Sequence, residues 1–166
     1  MKELHWIEGP WQGKLAVSAR PRGGDWLEDE IAHWRRSGIK TVFSLLTDKE
    51  MGDLELSHEA DEVYAQGMNY RSFPIPDRQV PDSEGKLTEV LDLLDRELDS
   101  GNNALIHCRQ GVGRAGLAAA CLLIGRGVDA DSAVRRVSAA RGVSVPETPE
   151  QRGWIDRYAA NLQVAG

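Results

Sequence analysis

The feature that most constrains this chain is residues 105–116, where an apolar run, a glycine-bearing turn and a helix start follow one another. The apolar run ends at His107 and Cys108, and the turn contains Gly111 and Gly113. Residues 117–124 are apolar on every side, which predicts a buried helix. Cys108 is therefore predicted to lie at the end of a strand, just before a helix N-terminus.

The predicted helix start has the chemistry of an anion-binding site. Backbone N–H groups in a first helical turn lack intrahelical partners, and the helix dipole adds about half a positive charge there. Glycine at 111 and 113 allows close backbone approach, and Arg114 can offer two parallel donors to a phosphate. The same positive field favours the thiolate form of Cys108. These properties together predict a sulfur nucleophile that faces a bound phosphate.

His-Cys followed by five residues and Arg resembles the signature of the cysteine-dependent protein tyrosine phosphatases. The chain is short, and it is most similar to the small dual-specificity branch, within that branch to the kinase-associated phosphatase subgroup. Residues 73–77 and 148–151 carry weaker parts of the resemblance, which spans roughly residues 15–160.

The alternation of predicted strands and helices indicates an α/β fold. We expect a single domain over residues 1–166, with a central, mostly parallel, twisted sheet of four to five strands and helices on both faces, as in dual-specificity phosphatases. Residues 1–13 are predicted to be an irregular N-terminal lead or a short strand, and 47–56 a polar loop. Helix N-caps are predicted at Asp25, Ser57, Ser83 or Asp82, Asp129 and Thr148.

The resemblance implies roles for individual residues. Cys108 would be the nucleophile, Arg114 would hold the transferred phosphoryl group, and Asp77 would be the general acid on a proline-rich loop. Asp82 is the alternative acid, although an N-cap role also explains it. The phosphate-binding loop would comprise Arg109, Gln110, Gly111, Val112, Gly113 and Arg114.

Two further residues are predicted to support this site. His107 would help to hold the cysteine as thiolate, and the alternative is a histidine satisfied within the core. Gln151 would position the hydrolytic water, but it is equally placed to pair with Thr148 in a capping box.

We therefore expect a phosphatase that acts on phosphotyrosine, and also on phosphoserine and phosphothreonine if its pocket is shallow, through a phospho-cysteine intermediate. One alternative is a non-protein phosphate, such as a phosphoinositide or an RNA 5′-triphosphate. Another is a phosphate-binding pseudophosphatase, because Ala115 replaces the Ser or Thr usual in the family. A rhodanese-type sulfur transferase is disfavoured by the Asp77 loop.

Composition limits the possible partners and location. Twenty basic and 26 acidic residues give a net charge of −6, which argues against general nucleic-acid binding. The apolar runs are too short to span a bilayer, and no signal peptide is evident. Two cysteines, Cys108 and Cys121, suit a reducing compartment, so we expect a cytoplasmic protein. No heptads or large unexplained apolar segments indicate a partner, so we expect a monomer. The dispersed His5, His33 and His58 predict no metal site, and we expect no cofactor.

Overall fold

Five strands form one sheet in the order β1-β2-β5-β3-β4 in the computed structural model, which describes residues 2–165. The strands are β1 (His5–Ile7), β2 (Leu15–Ala19), β3 (Ile39–Ser44), β4 (Asn69–Ser72) and β5 (Asn103–Cys108). The helices are α1 (Leu27–Arg36), α2 (Asp48–Asp53), α3 (Glu59–Ala65), α4 (Glu84–Asp99), α5 (Gly113–Gly125), α6 (Ala130–Arg141) and α7 (Pro149–Ala165). The predicted α/β class with a mostly parallel sheet of four to five strands is confirmed.

The sheet is parallel except at one edge. Strands β2, β5, β3 and β4 run in the same direction, and β1 pairs with β2 antiparallel. Consequently the carboxyl ends of β2, β5 and β3 meet along one edge, where parallel α/β sheets place their ligand sites. Cys108 is aligned there with Ala19, and His107 with Ser44.

Apolar side chains on both faces of the central strands divide the core into two layers. One layer joins the sheet to helices α4, α5, α6 and α7, and the other joins it to α1 and α3. Alternate strand residues serve the two layers because successive side chains point to opposite faces. The first layer contains Val17, Phe43 and Ile106, and the second contains Ala16, Val42 and Leu105.

Helix α5 is buried along almost its whole length. Every residue from 113 to 124 is buried, which agrees with the continuous apolar run in the sequence. Helix α4 instead buries one stripe, at the spacing expected of an amphipathic helix. That stripe consists of Leu87, Leu91, Leu94 and Leu98.

The predicted polar loop at 47–56 is wrong in its first half, because residues Asp48–Asp53 form helix α2. Thr47 caps this helix: its hydroxyl accepts the N–H of Glu50, and the Glu50 carboxylate accepts the N–H of Thr47. This reciprocal capping box satisfies two backbone donors at the start of a helix that is too short to be stable alone.

Some of the predicted helix N-caps are present in the structure, and others are not. Ser83, Asp129 and the Thr148–Gln151 pair form the predicted N-terminal caps. Asp25 does not, because it lies inside a 3₁₀ turn (Gly24–Trp26) that leads into α1. Ser57 does not cap α3 either, since His58 precedes that helix without a side-chain bond.

The N-terminal segment is more regular than an irregular lead, because β1 lies within residues 1–13. Of the two readings of that segment, the short strand is therefore correct. Among residues 2–165, no helix is both long enough and apolar enough to cross a membrane.

Two leucines of α4 provide a test of this packing. Leu98 is 0% exposed in the core, whereas Leu93 is 39% exposed on the same helix. We expect Leu98→Ala to lower the free energy of unfolding by about 2–5 kcal/mol, because it leaves a cavity. Leu93→Ala should change it by less than about 1 kcal/mol. Urea unfolding of both variants measures the difference, and equal losses would contradict this account of the core.

Candidate active site

The predicted phosphate loop lies at the carboxyl edge of the sheet, between the end of β5 and the start of α5. Cys108 is the last residue of β5 and is 2% exposed. Its sulfur accepts the backbone N–H of Gly111 at 3.3 Å. The helix that follows begins at Gly113, so its unpaired first-turn N–H groups lie within the same loop.

The carbonyl groups of this loop are held from outside. The backbone N–H of Arg20 donates to the Arg109 carbonyl at 3.2 Å. The Arg141 guanidinium donates to the carbonyls of Gln110 and Gly111 at 3.1 and 3.3 Å. In a planar trans peptide, the N–H points opposite to the preceding carbonyl. The N–H groups of residues 110–112 therefore point inward, as the bond from Gly111 to sulfur illustrates.

Position 111 requires glycine for two reasons, its backbone conformation and the close packing around it. Its φ is +74°, in the left-handed region. A Cβ placed there would lie 2.5 Å from the carbonyl carbon of Ser18 in the neighbouring strand β2. The loop is thus pressed against the sheet at this glycine, which fixes the distance between the inward N–H groups and Cys108.

The Arg114 side chain reaches from the first turn of α5 into a buried ion-pair network. It is 1% exposed. Its two terminal nitrogens donate to both carboxylate oxygens of Glu50 at 2.7 and 2.9 Å. They also donate to the carbonyl of Ile75 at 2.7 Å and to the Asp77 carboxylate at 3.0 Å. Four of the five guanidinium donors are therefore used, and Nε is the one left for another acceptor.

Charge in this network is balanced by direct contacts. Burial opposes the positive charge of Arg114, but hydrogen bonds to Glu50 and the negative charge of a Cys108 thiolate raise its pKa above the ordinary value. Burial likewise opposes ionisation of Glu50, but the hydrogen bonds from Arg114 and from the Thr47 backbone hold its pKa below the usual range. Both groups are therefore stabilised in their charged forms.

Sequence reasoning missed Glu50, the main partner of Arg114. The signal was present: Thr47-Asp48-Lys49-Glu50 has the spacing of a capping box, which marks a helix start. The pattern does not predict the contact between Glu50 and Arg114, because these residues are 64 positions apart in the sequence.

Asp77 lies beside the phosphate loop, and Asp82 does not. Asp77 is bonded to Arg114, and 43% of its side chain is exposed. Its loop begins with bonds from the N–H groups of Phe73 and Ile75 to carbonyls at the end of β3. Asp82 is exposed near the start of α4, where Ser83 provides the cap. Of the two candidate acids, the structure brings only Asp77 to Arg114.

His107 is 0% exposed and lies behind the cysteine, next to a buried acid. Its Nε2 is 2.6 Å from a carboxylate oxygen of Glu59, and its ring lies against Trp34 with a centroid distance of 5.7 Å. This contact holds the ring of the residue that precedes Cys108. Glu59 was not singled out from the sequence, and its contact with His107 is a finding of the structure.

Gln151 combines the two predicted placements. Its side-chain oxygen accepts the N–H groups of Glu147 and Thr148, as a capping residue does. Its amide nitrogen donates to the carbonyl of Gln79, in the Asp77 loop, at 3.1 Å. The same amide lies close to Gly113, where an added Cβ would be 2.9 Å from its oxygen. Gln151 therefore caps α7 and also touches the phosphate loop.

The remaining loop residues are more open. Arg109 has a side chain that is 41% exposed, with its guanidinium 3.7 Å from Glu50. Gln110 is exposed and Val112 is half-buried. Across residues 2–165, no three His, Cys, Asp or Glu side chains are grouped so that they could hold a metal ion.

The site has the arrangement of a cysteine-dependent phosphatase. It combines a cysteine at the end of a central strand, a loop of inward N–H groups, an arginine in the next helical turn and an acid on an adjacent loop. Residues 17–128, more than half of the chain, match the family described as "Polymorphic toxin system, DSP-PTPase phosphatase". The chain belongs to this family of small dual-specificity phosphatases, within the cysteine-dependent protein tyrosine phosphatase superfamily.

Similar proteins agree with this assignment. Cyclin-dependent kinase inhibitor 3 from Rattus norvegicus is 28% identical over 138 residues, which cover 82% of this chain and 65% of that protein. The Homo sapiens protein of the same name is 28% identical over 142 residues, covering 82% and 66%. This chain spans just under two thirds of the length of these relatives.

Solved structures share the fold. A crystal structure of kinase associated phosphatase, with its catalytic-site cysteine substituted by serine, aligns with a TM-score of 0.89 at 22% identity, covering 98% of this chain and 96% of that chain. The crystal structure of Tk-PTP in the active form aligns with a TM-score of 0.78 at 28% identity, covering 95% and 96%.

Replacing glycines tests how tightly the phosphate loop is packed. Gly142 has a φ of +81° with no atom near its missing Cβ, so Gly142→Ala should cost only the left-handed strain, about 1–2 kcal/mol. Gly111→Ala adds a collision with the β2 backbone and should cost more. It should also weaken binding of inorganic phosphate. Urea unfolding and calorimetric phosphate titration measure both effects; equal unfolding losses would contradict the close approach.

The charge on Glu50 predicts a pH-dependent stability. Since the pKa of Glu50 is lowered from 4.5 in the folded protein, its charge stabilises the fold fully above about pH 4.5, and this is lost as pH falls through the lowered pKa. Glu50→Gln should therefore reduce the free energy of unfolding by about 1–3 kcal/mol near neutral pH. The difference from the natural protein should shrink in acid. Glu89→Gln, exposed on α4, is the control, and a gap that is independent of pH would contradict the prediction.

Proposed function

We propose that this protein hydrolyses phosphate monoesters on proteins through a phospho-cysteine intermediate. The observation that carries the proposal is the contact between the Cys108 sulfur and the inward N–H of Gly111, in a loop whose next helical turn provides Arg114. The helix N-terminus brings together three inward N–H groups and a guanidinium, which can bind a phosphate dianion. The sulfur lies beside them as the nucleophile.

Binding of the phosphate requires an exchange of partners at Arg114. Within residues 2–165, Nε is the Arg114 nitrogen without a hydrogen bond to protein, so a phosphate that accepts Nε and its neighbouring terminal nitrogen takes the second donor from Asp77. Glu50 keeps its two bonds and holds the guanidinium plane in place. This exchange releases the Asp77 carboxyl group at the mouth of the site, where the leaving oxygen lies.

In the first step, the Cys108 thiolate attacks phosphorus and forms an S–P bond while the P–O bond to the leaving group breaks. Arg114 and the loop N–H groups stabilise the charge on the three equatorial oxygens. Asp77 transfers its proton to the leaving oxygen, a contribution that is typically 10²–10⁴-fold.

In the second step, a water molecule attacks the phosphorus of the phospho-cysteine. Asp77, now a carboxylate, accepts a proton from that water, the S–P bond breaks, and inorganic phosphate and the thiolate are released. Gln151 has one amide N–H beyond those it uses for protein contacts, and this donor would orient the water. The steps use side chains, backbone N–H groups and water, so we expect no cofactor.

The substrate that the comparisons favour is a phosphorylated protein. The relatives named cyclin-dependent kinase inhibitor 3 carry the name of a kinase, and the family is that of DSP-PTPases. We propose activity on phosphotyrosine and on phosphoserine or phosphothreonine. We also propose that the 166 residues act as one catalytic domain and as a monomer, without nucleic-acid or membrane partners. Two free cysteines suit the reducing conditions of a cytoplasm.

One observation favours a second candidate, a phosphate-binding protein with slow turnover. Ala115 is buried beside Arg114 and has no hydroxyl where the family usually has one to steady the departing thiolate. We expect Ala115→Ser to raise the turnover number by accelerating the second step. The pre-steady-state burst rate should stay the same. Stopped-flow measurement of burst and steady state on an aryl phosphate tests this, and an unchanged turnover number would exclude a role for the missing hydroxyl.

The deciding experiment is a phosphatase assay with the full chain. Phosphotyrosyl and phosphothreonyl peptides, a phosphoinositide and an RNA 5′-triphosphate form the substrate panel. We expect turnover of the phosphopeptides and complete loss of it in Cys108→Ser, with phosphate binding and the unfolding midpoint retained. Activity that survives in Cys108→Ser would refute the mechanism, and turnover of only the non-protein substrates would refute the substrate class.

Asp77 and Asp82 provide a matched pair for the general acid. Asp77→Asn should reduce kcat/KM about 10²-fold or more, and should abolish the fall of kcat/KM at high pH that accompanies loss of the acidic proton. Asp82→Asn should leave both unchanged, because that side chain is exposed and lies outside the Arg114 network. A pH–rate profile of each variant decides between them, and the reverse result would assign the acid to Asp82.

A further inference from the structure

The residue after the proposed acid has an unusual backbone. Arg78 has a φ of +62°, in the left-handed region that costs a side-chain-bearing residue roughly 1–2 kcal/mol. Such a conformation persists when the surrounding structure determines it. Arg78 is the third residue of a turn that the Gln79 N–H closes onto the Pro76 carbonyl at 3.0 Å. Its guanidinium forms an ion pair with the Glu147 carboxylate, with an N–O distance of 3.1 Å.

Glu147 joins the Asp77 loop to the phosphate loop. One of its carboxylate oxygens binds Arg78. The other lies against the first residue of α5, so closely that a Cβ at Gly113 would be 2.7 Å from it. The backbone N–H of Glu147 is held by Gln151 at 3.0 Å. The position of this carboxylate is thus set by the start of α7, independently of the Asp77 loop.

A second contact runs parallel to this ion pair. The amide of Gln151 donates to the carbonyl of Gln79, and the Gln79 N–H closes a turn onto Pro76 at 3.0 Å. The two residues that follow Asp77 are therefore both attached to the segment 147–151. On its other side, the loop is attached to Arg114 through Asp77 and the Ile75 carbonyl.

These two attachments behave differently when a phosphate binds. The phosphate takes a donor of Arg114 away from Asp77, so the carboxyl group loses its direct contact with the phosphate loop. The contacts from Arg78 and Gln79 to 147–151 do not involve a phosphate donor and remain. The bond from Arg114 to the Ile75 carbonyl also remains, but it precedes Asp77 in the chain. The contacts to 147–151 are then the ones that hold the loop on the far side of Asp77 and keep its carboxyl group over the leaving oxygen.

We propose that Arg78 and Glu147 are positioning residues for leaving-group protonation, acting through Asp77. The inference rests on the function proposed above. This role predicts that loss of either residue lowers kcat/KM more for substrates with a poor leaving group than for those with a good one. The reason is that expulsion of a poor leaving group depends more on protonation by the acid. An ion pair that served the fold alone would affect both substrates equally.

The test compares kcat/KM for phenyl phosphate and 4-nitrophenyl phosphate, because kcat/KM reports steps up to formation of the phospho-cysteine. Arg78→Ala and Glu147→Gln should each lower the value for phenyl phosphate about two- to five-fold more than that for 4-nitrophenyl phosphate, the range expected for an exposed ion pair. Arg78→Lys should restore most of the loss. The double variant should be no worse than the worse single variant.

Arg126→Ala is the matched control, since it removes an arginine whose ion pair with Asp95 lies at the far end of α5. It should leave both kcat/KM values unchanged. Unfolding midpoints separate a folding defect from a positioning defect, and Glu147→Gln keeps the shape of the side chain if Arg78→Ala unfolds.

Equal losses on both substrates, or no loss on either, would overturn the proposal. Failure of the proposed function looks different. In that case, Asp77→Asn would show no preference for the poor leaving group, or Cys108→Ser would remain active. A selective Asp77→Asn together with a non-selective Arg78→Ala would refute only the positioning role.

Discussion

The buried ion pair between Arg114 and Glu50 is the interaction on which the rest of the site depends. A guanidinium that is 1% exposed must have its donors satisfied, because an unpaired buried charge costs several kcal/mol. Glu50 satisfies two of them, so the position of the Arg114 side chain depends on the short helix α2 that carries Glu50. The same pair orients the face of Arg114 that turns toward Asp77.

Hydrogen bonds on the outer side of the phosphate loop orient its backbone N–H groups inward. Donors from the segment after β2 and from the end of α6 occupy its carbonyl oxygens, which directs the opposite N–H groups toward the sulfur. Gly111 then lets the loop rest on the neighbouring strand. Two regions that are distant from the loop in sequence, residues 18–20 and the end of α6, thus help to determine where a bound oxyanion would lie.

Sequence reasoning succeeded where the information was local. The strand that ends at Cys108, the buried α5 and the cap at Ser83 follow from short patterns, and the structure contains all three. It failed at α2, because the six polar or charged residues among 47–56 suggested a loop and the capping box at Thr47 was overlooked. It could not find the partner of Arg114, since nothing near residue 114 encodes a contact with residue 50. The choice of Asp77 over Asp82 as the general acid stays a prediction, which is supported by the contact between Asp77 and Arg114.

The burial of α5 from residue 113 to residue 124 has a consequence for how this protein would lose activity. Because these residues lie inside the core, the first helical turn that would hold the oxyanion belongs to a part of the molecule that opens only with the core. The ordering of those backbone dipoles is completed during folding, and it costs nothing further when a ligand arrives. Heat inactivation should therefore coincide with global melting of the chain, without an earlier, local softening of the nucleophile's surroundings.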